Sequence, residues 1–99
     1  MSNKKQSYLI QEFKRRISNI YTVLEKKPDD RYLLGAVEGY NNIVISANKQ
    51  TRDDAQFRLY LADRCMVLDE QEKNDAHYKG KMLAYGEGWR FMYETNRGI

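Results

Sequence analysis

The stretch RYLLGAVEGYNN, residues 31–42, decides how this chain is read. It sets Gly35 and Gly39 four residues apart in a run that also carries Leu33, Leu34, Val37, Tyr40, Ile43 and Val44. A glycine inside a helix costs roughly 1 kcal/mol relative to alanine, so two on one helix need compensation. Small residues spaced by four let a second helix cross closely, and the dispersion contacts that any Cβ would block offset the cost. A glycine loop cradling phosphate would need a strand–loop–helix context and a Lys-Ser/Thr ending, and neither is present.

Working outward, Asp30 is a good N-cap for this helix, which is expected to run to about Asn48. Upstream, Ile10, Phe13, Ile17, Ile20, Tyr21 and Leu24 recur at helical spacing over residues 8–27, with Lys14, Arg15, Ser18 and Asn19 on the other side. KKPDD stops that helix, Pro28 being the only proline in the chain. Downstream, Thr51 and Asp54 resemble a capping box for a third helix that turns Phe57, Tyr60, Leu61, Cys65 and Leu68 inward. A break is expected near Asn74, although one helix over residues 52–95, roughly 65 Å long, remains open.

The last segment has the clearest pattern. Tyr78, Met82, Tyr85, Trp89 and Met92 are spaced 4, 3, 4, 3, a stripe of large side chains. Gly80, Ala84 and Gly88 form a second stripe about 120° away, suited to the close approach of another backbone. Asp30, Gly35, Gly39 and Tyr40 match Asp75, Gly80, Ala84 and Tyr85 at an offset of 45. Phe13, Ile17, Tyr21 and Leu24 match Phe57, Leu61, Cys65 and Leu68 at an offset of 44. The expected architecture is an all-α single domain over residues 1–99, a bundle of two helical hairpins, 8–48 and 52–95. An internal duplication would explain the pairing, and residues 1–6 and 96–99 are expected as flexible ends.

The 99 residues, 41% hydrophobic and 31% charged, fit a single globular domain with a net charge of +3. Residues 1–31 carry eight Lys/Arg against four Asp/Glu; the remainder carries nine against ten. One cysteine excludes an intrachain disulfide, and no stretch reads as a signal peptide or membrane span. A cytoplasmic protein is expected.

The segments YLLGAVEGYNNIV and HYKGKMLAYGEGW resemble the aromatic-x-x-Gly-x-x-x-small helices of small helical proteins encoded by bacteriophages and mobile elements. The resemblance covers about thirty residues and is carried by a packing motif. It implies a helical fold, an origin in such elements and residence in a host cytoplasm, but transfers no functional residue.

Catalytic and metal constellations are missing from the sequence. His77 is the only histidine, twelve residues from Cys65, and the acidic run Asp69, Glu70, Glu72, Asp75 reads as a solvated face. With one histidine, acid–base work would fall to a carboxylate pair, and Glu38 and Glu87 are candidates only by lying in glycine-flanked helices. No cofactor fingerprint appears, and a non-enzyme is expected.

Two binding roles remain. The first is a protein-interaction module, a homo-oligomer that inhibits or redirects a host protein through Tyr85, Trp89, Phe91 and Tyr93. Twelve aromatics, eight of them tyrosine, exceed what so small a core buries, although tyrosines can also simply cover a core with hydroxyls in water. The second role is nucleic-acid binding along the first helix by Lys14, Arg15, Arg16, Lys26 and Lys27, with Lys4 and Lys5 nearby. A solvated basic face is the plainer account of those residues.

Overall fold

In the computed structural model, which describes residues 3–69 and 75–94, the chain forms four helices: α1 (Lys4–Leu24), α2 (Arg31–Asn48), α3 (Asp54–Asp69) and α4 (Ala76–Glu94). No strand occurs among the described residues. The expected hairpins are both present, α1 packed on α2 and α3 on α4, and the largest interface joins α2 to α4.

Asp30 caps α2 as the sequence requires, its carboxylate accepting the Leu33 amide at 3.1 Å. Asp75 occupies the equivalent place before α4 and accepts the His77 amide at 3.2 Å. Past the end of α2, Gln50 adopts a left-handed φ of 53° and donates its N–H to the Ala47 carbonyl at 3.2 Å. Helix α3 is opened by a reciprocal pair. Gln56 donates its amide to the Asp53 carboxylate at 2.8 Å, and the Asp53 amide donates to the Gln56 side chain at 2.9 Å. The box is therefore Asp53–Gln56 rather than Thr51–Asp54, which frees the Asp54 carboxylate for another task.

That task is to cap α1 from across the molecule. Asn3 makes no side-chain cap, and the first turn of α1 holds no acid of its own. The Asp54 carboxylate accepts the backbone amides of Lys5 at 3.0 Å and Gln6 at 3.2 Å. The Gln6 side chain, 2% exposed, donates to the Arg52 carbonyl at 2.8 Å and to Asp54 at 3.2 Å. Lys5 donates to the Met92 carbonyl at 3.2 Å, in the last turn of α4. The expectation of a flexible segment over residues 1–6 is thus corrected for its second half. Residues 4–6 are helical, and partners 46 to 87 positions away accept from the Lys5 and Gln6 amides, the Lys5 ammonium and the Gln6 side-chain nitrogen. Of the other expectations, the break near Asn74 and the tail 96–99 lie outside the described residues.

The two stripes of α4 serve two neighbours, as their angular separation demands. Tyr78, Tyr85 and Met92 are buried in the core, while Gly80, Ala84 and Gly88 are buried as well. A Cβ on Gly35 would fall on the His77 carbonyl oxygen, and one on Gly80 would fall on the Tyr32 carbonyl oxygen. At the offset of 45, Gly35 corresponds to Gly80 and Tyr32 to His77. The two contacts are one contact made twice, in exchange.

Gly39 and Ala84, equivalent to each other, meet between them: a Cβ on Gly39 would lie 2.6 Å from the Ala84 Cβ. Gly88 follows against Ile43, 3.0 Å from where its Cβ would stand. Contacts advance along both helices together, so α2 and α4 run in the same direction. Helix α3 runs against α4, since Arg58 lies over the Tyr93 ring and Arg64 over the Tyr85 ring. Residues 52–95 therefore do not form one long helix.

On α1 and α3, Phe13 and Phe57 are equivalent at the offset of 44 and both are fully buried, as is Leu61 opposite the nearly buried Ile17. Phe13 meets Tyr40 edge-on with centroids 4.7 Å apart. Tyr21, expected inward, is 51% exposed, because it lies at the edge of the stripe that Leu9, Phe13, Ile17 and Leu24 define.

Two substitutions test this architecture by chemical denaturation. Gly35→Ala is expected to destabilise by at least about 2 kcal/mol, since backbone cannot yield as a side chain does and the helix-propensity gain is smaller. Asp54→Ala is expected to cost roughly 2–3 kcal/mol through the lost cap and the stranded Gln6 amide. Its effect should appear as faster hydrogen exchange in the first turn of α1.

Candidate interaction surface

With three faces of α4 committed to α2, α3 and the core, its remaining face carries Trp89 and Tyr93, one turn apart. They are 40% and 56% exposed, and their rings stack on each other with centroids 5.0 Å apart at 28°. Arg58 of α3 reaches across the seam, its guanidinium carbon 5.6 Å from the Tyr93 ring centroid. Beside the stacked pair is a shallow depression of about 330 Å³, lined by Met82, Leu83, Gly86, Glu87, Trp89 and Arg90. A Cβ on Gly86 would meet nothing within 4 Å. Arg90 stands between Glu87 at 3.9 Å and Glu94 at 3.6 Å, long and exposed pairs worth little in water.

The four aromatics expected at an interface thus divide. Trp89 and Tyr93 face outward. Tyr85 does not: it is 1% exposed, because on α4 it lies with Met92 on the side of the large stripe next to the small-residue stripe, facing the core. Phe91 is half-buried, its ring 6.0 Å from Phe13, and it lines a second depression of about 430 Å³ with Tyr8, Gln11, Glu12 and Arg15.

The basic residues expected along the first helix also divide. Lys14 is exposed on α1, and Lys26 and Lys27 are exposed too but lie beyond its end, because the helix stops at Leu24. Arg15 and Arg16 both grip Glu12, at 2.6 Å and 2.8 Å. Hydrogen bonds from the Arg15 and Arg16 guanidiniums hold the Glu12 carboxyl well below the usual carboxylate range, at about 2. Burial works against the charge on Arg16, but its hydrogen bonds to Glu12 and Tyr40 outweigh that and raise its pKa. Arg16 also lies 5.1 Å from the Phe13 ring centroid. Two of the five cations that would track phosphates are therefore already held by Glu12.

A third cluster bridges α2 and α4. His77 Nε2 and Lys81 Nζ each lie 3.1 Å from the Glu38 carboxylate. Sequence reading treated Glu38 and His77 separately, though the pairing follows from geometry: Glu38 lies three residues beyond Gly35, whose missing Cβ faces His77. The same end of the crossing carries Arg31 to Asp75 at 3.1 Å. That hydrogen bond, with help from the His77 amide, lowers the Asp75 pKa.

Cys65 is half-buried, and burial pushes its thiol pKa up, the opposite of an activated nucleophile. Among the described residues, no group of three or more His, Cys, Asp or Glu side chains is placed to hold a metal. No described helix is long and apolar enough to cross a membrane. Comparison with family models, curated proteins and solved structures finds no match for this chain.

The Glu12 cluster carries a pH prediction. A carboxylate whose pKa is depressed on folding stabilises the fold above its unfolded value and loses that contribution as pH falls through the folded one. The stability difference between the parent chain and Glu12→Gln should therefore be constant near neutrality. It should fade between the ordinary carboxylate value, 4.5, and about 2. Urea denaturation of both chains across that range checks it.

Proposed function

We propose that this chain is a non-enzymatic protein-binding module, acting in a cytoplasm, whose contact surface is the Trp89–Tyr93 face of α4. The observation that carries the reading is Gly86. Gly35, Gly39, Gly80 and Gly88 each have a neighbour that a Cβ would crowd, and Gly86 has none. A helix-interior glycine without such a neighbour forgoes about 1 kcal/mol in the free protein.

Its place in the lining of a depression shared with Trp89, Met82 and Leu83 supplies the missing reason. A partner's backbone or flat ring seats over Gly86 while the indole lies alongside. Aromatic anchors with an apolar body and a polar tip suit such contacts. The likeness of the α2 and α4 segments to helices of phage-encoded proteins points to a host protein as the partner, inhibited or redirected by the contact. Glu12's hold on two arginines weighs against reading α1 as a nucleic-acid track.

Immobilised chain incubated with lysate of its host should retain a protein partner, and Trp89→Ala should weaken that capture by about thirtyfold or more. Gly86→Ala is expected to raise the stability of the free chain by roughly 0.5–1 kcal/mol while weakening capture. Binding instead to a random DNA duplex would overturn the proposal, provided it falls steeply with salt and depends on Lys14, Lys26 and Lys27.

A further inference from the structure

Helix α3 has two apolar faces, and the bundle uses one. Phe57 and Leu61 face inward and are fully buried. On the opposite side, at 100° per residue, Ala55, Leu59, Ala62 and Met66 fall within a band about 60° wide. Leu59 is 72% exposed and Met66 69%, the two most exposed large apolar side chains of the described residues. A surface helix in a monomer places polar residues there.

The spacing of the four is 4, 3, 4. That is the seam of a two-stranded coiled coil, with large side chains at one set of seam positions and alanines at the other. The seam is flanked by opposite charges, Arg58 on one side and Asp63 on the other. With Leu59 and Met66 as the first seam positions of successive heptads, Arg58 precedes the one at Leu59 and Asp63 follows the one at Ala62. Those are the two flanking positions that pair across a parallel seam, a residue on one strand with the residue five further along on its partner. Asp63 is exposed and, among the described residues, neither Asp63 nor Arg58 makes an ion pair.

We propose that a second copy of this chain covers the outer face of α3, the two α3 helices running parallel about a two-fold axis. Arg58 of each copy then meets the Asp63 of the other. One contact implies its mate, which is the condition for a closed dimer. The seam itself is short. Arg58 is held at its edge by the Tyr93 ring of α4. This inference does not rest on the binding role of the Trp89 face, and the two are separable by mutation.

The test uses the full chain in sedimentation equilibrium, with circular dichroism to confirm helix content. The parent chain is expected to be a dimer. Leu59→Glu and Met66→Glu, at sites open to solvent, should leave helix content unchanged and yield monomers. Asp63→Arg should weaken association by about tenfold or more by opposing like charges, and adding Arg58→Asp should restore it. A parent chain that stays monomeric overturns the proposal. So does a dimer indifferent to Leu59→Glu, and so does a charge exchange that fails to restore association. Retention of the dimer in Trp89→Ala separates this interface from the one proposed for a host partner.

Discussion

Backbone contact between α2 and α4 sets the spacing of every other element. Where Gly35 faces the His77 carbonyl and Gly80 faces the Tyr32 carbonyl, the helix axes stand as close as main chains allow. At that separation no long side chain fits between the two helices, so the large residues of each are displaced to the flanks. There they become the floor on which α1 and α3 lie. Tyr40 meets Phe13 on one flank, and Tyr85 lies under Arg64 on the other. The helical glycines at the crossing are thus the cause of the core's shape as well as a cost to helix stability.

The contacts at the crossing obey an internal two-fold, and the hairpins depart from it in one instructive place. Helices α2 and α4 begin 45 residues apart, each behind an aspartate that accepts an amide from the first turn. Helix α1, by contrast, extends further at its N-terminus than α3 does. The extra turn reaches the start of α3 and the end of α4, where Asp54 and Met92 receive its polar groups. Lys5 sits there between the Asp54 carboxylate and Arg58, and burial lowers its pKa with Arg58 adding to the effect. A symmetric pair of hairpins would lack this tie; the asymmetry locks one hairpin to the other.

Local chemistry made much of the fold legible. Asp30, Pro28, the glycine and alanine spacing and the offset of 45 all act within a turn or repeat at fixed distance. The heptad stripe of α4 was legible as a stripe. Its division into buried Tyr85 and exposed Trp89 depended on where α3 lies, which spacing does not encode. The hold of Glu12 on Arg15 and Arg16 was within reach, since three- and four-residue separations place those charges together on any helix. The Asp54 cap on α1 was not, because its partners are 48 and 49 residues away. The outer face of α3 escaped notice for a related reason: a helix apolar on two sides presents no single stripe to find.

A crossing made of two equivalent halves has a topological consequence. Each hairpin offers the other the same ridge and the same groove, so a hairpin from a second chain satisfies the crossing as well as the chain's own. What keeps the exchange within one molecule is the connection over residues 49–53, which holds the halves at high effective concentration. The left-handed turn at Gln50 folds that connection back on α2. Length and stiffness in this short linker, more than any contact in the core, set the balance between a closed chain and a swapped pair.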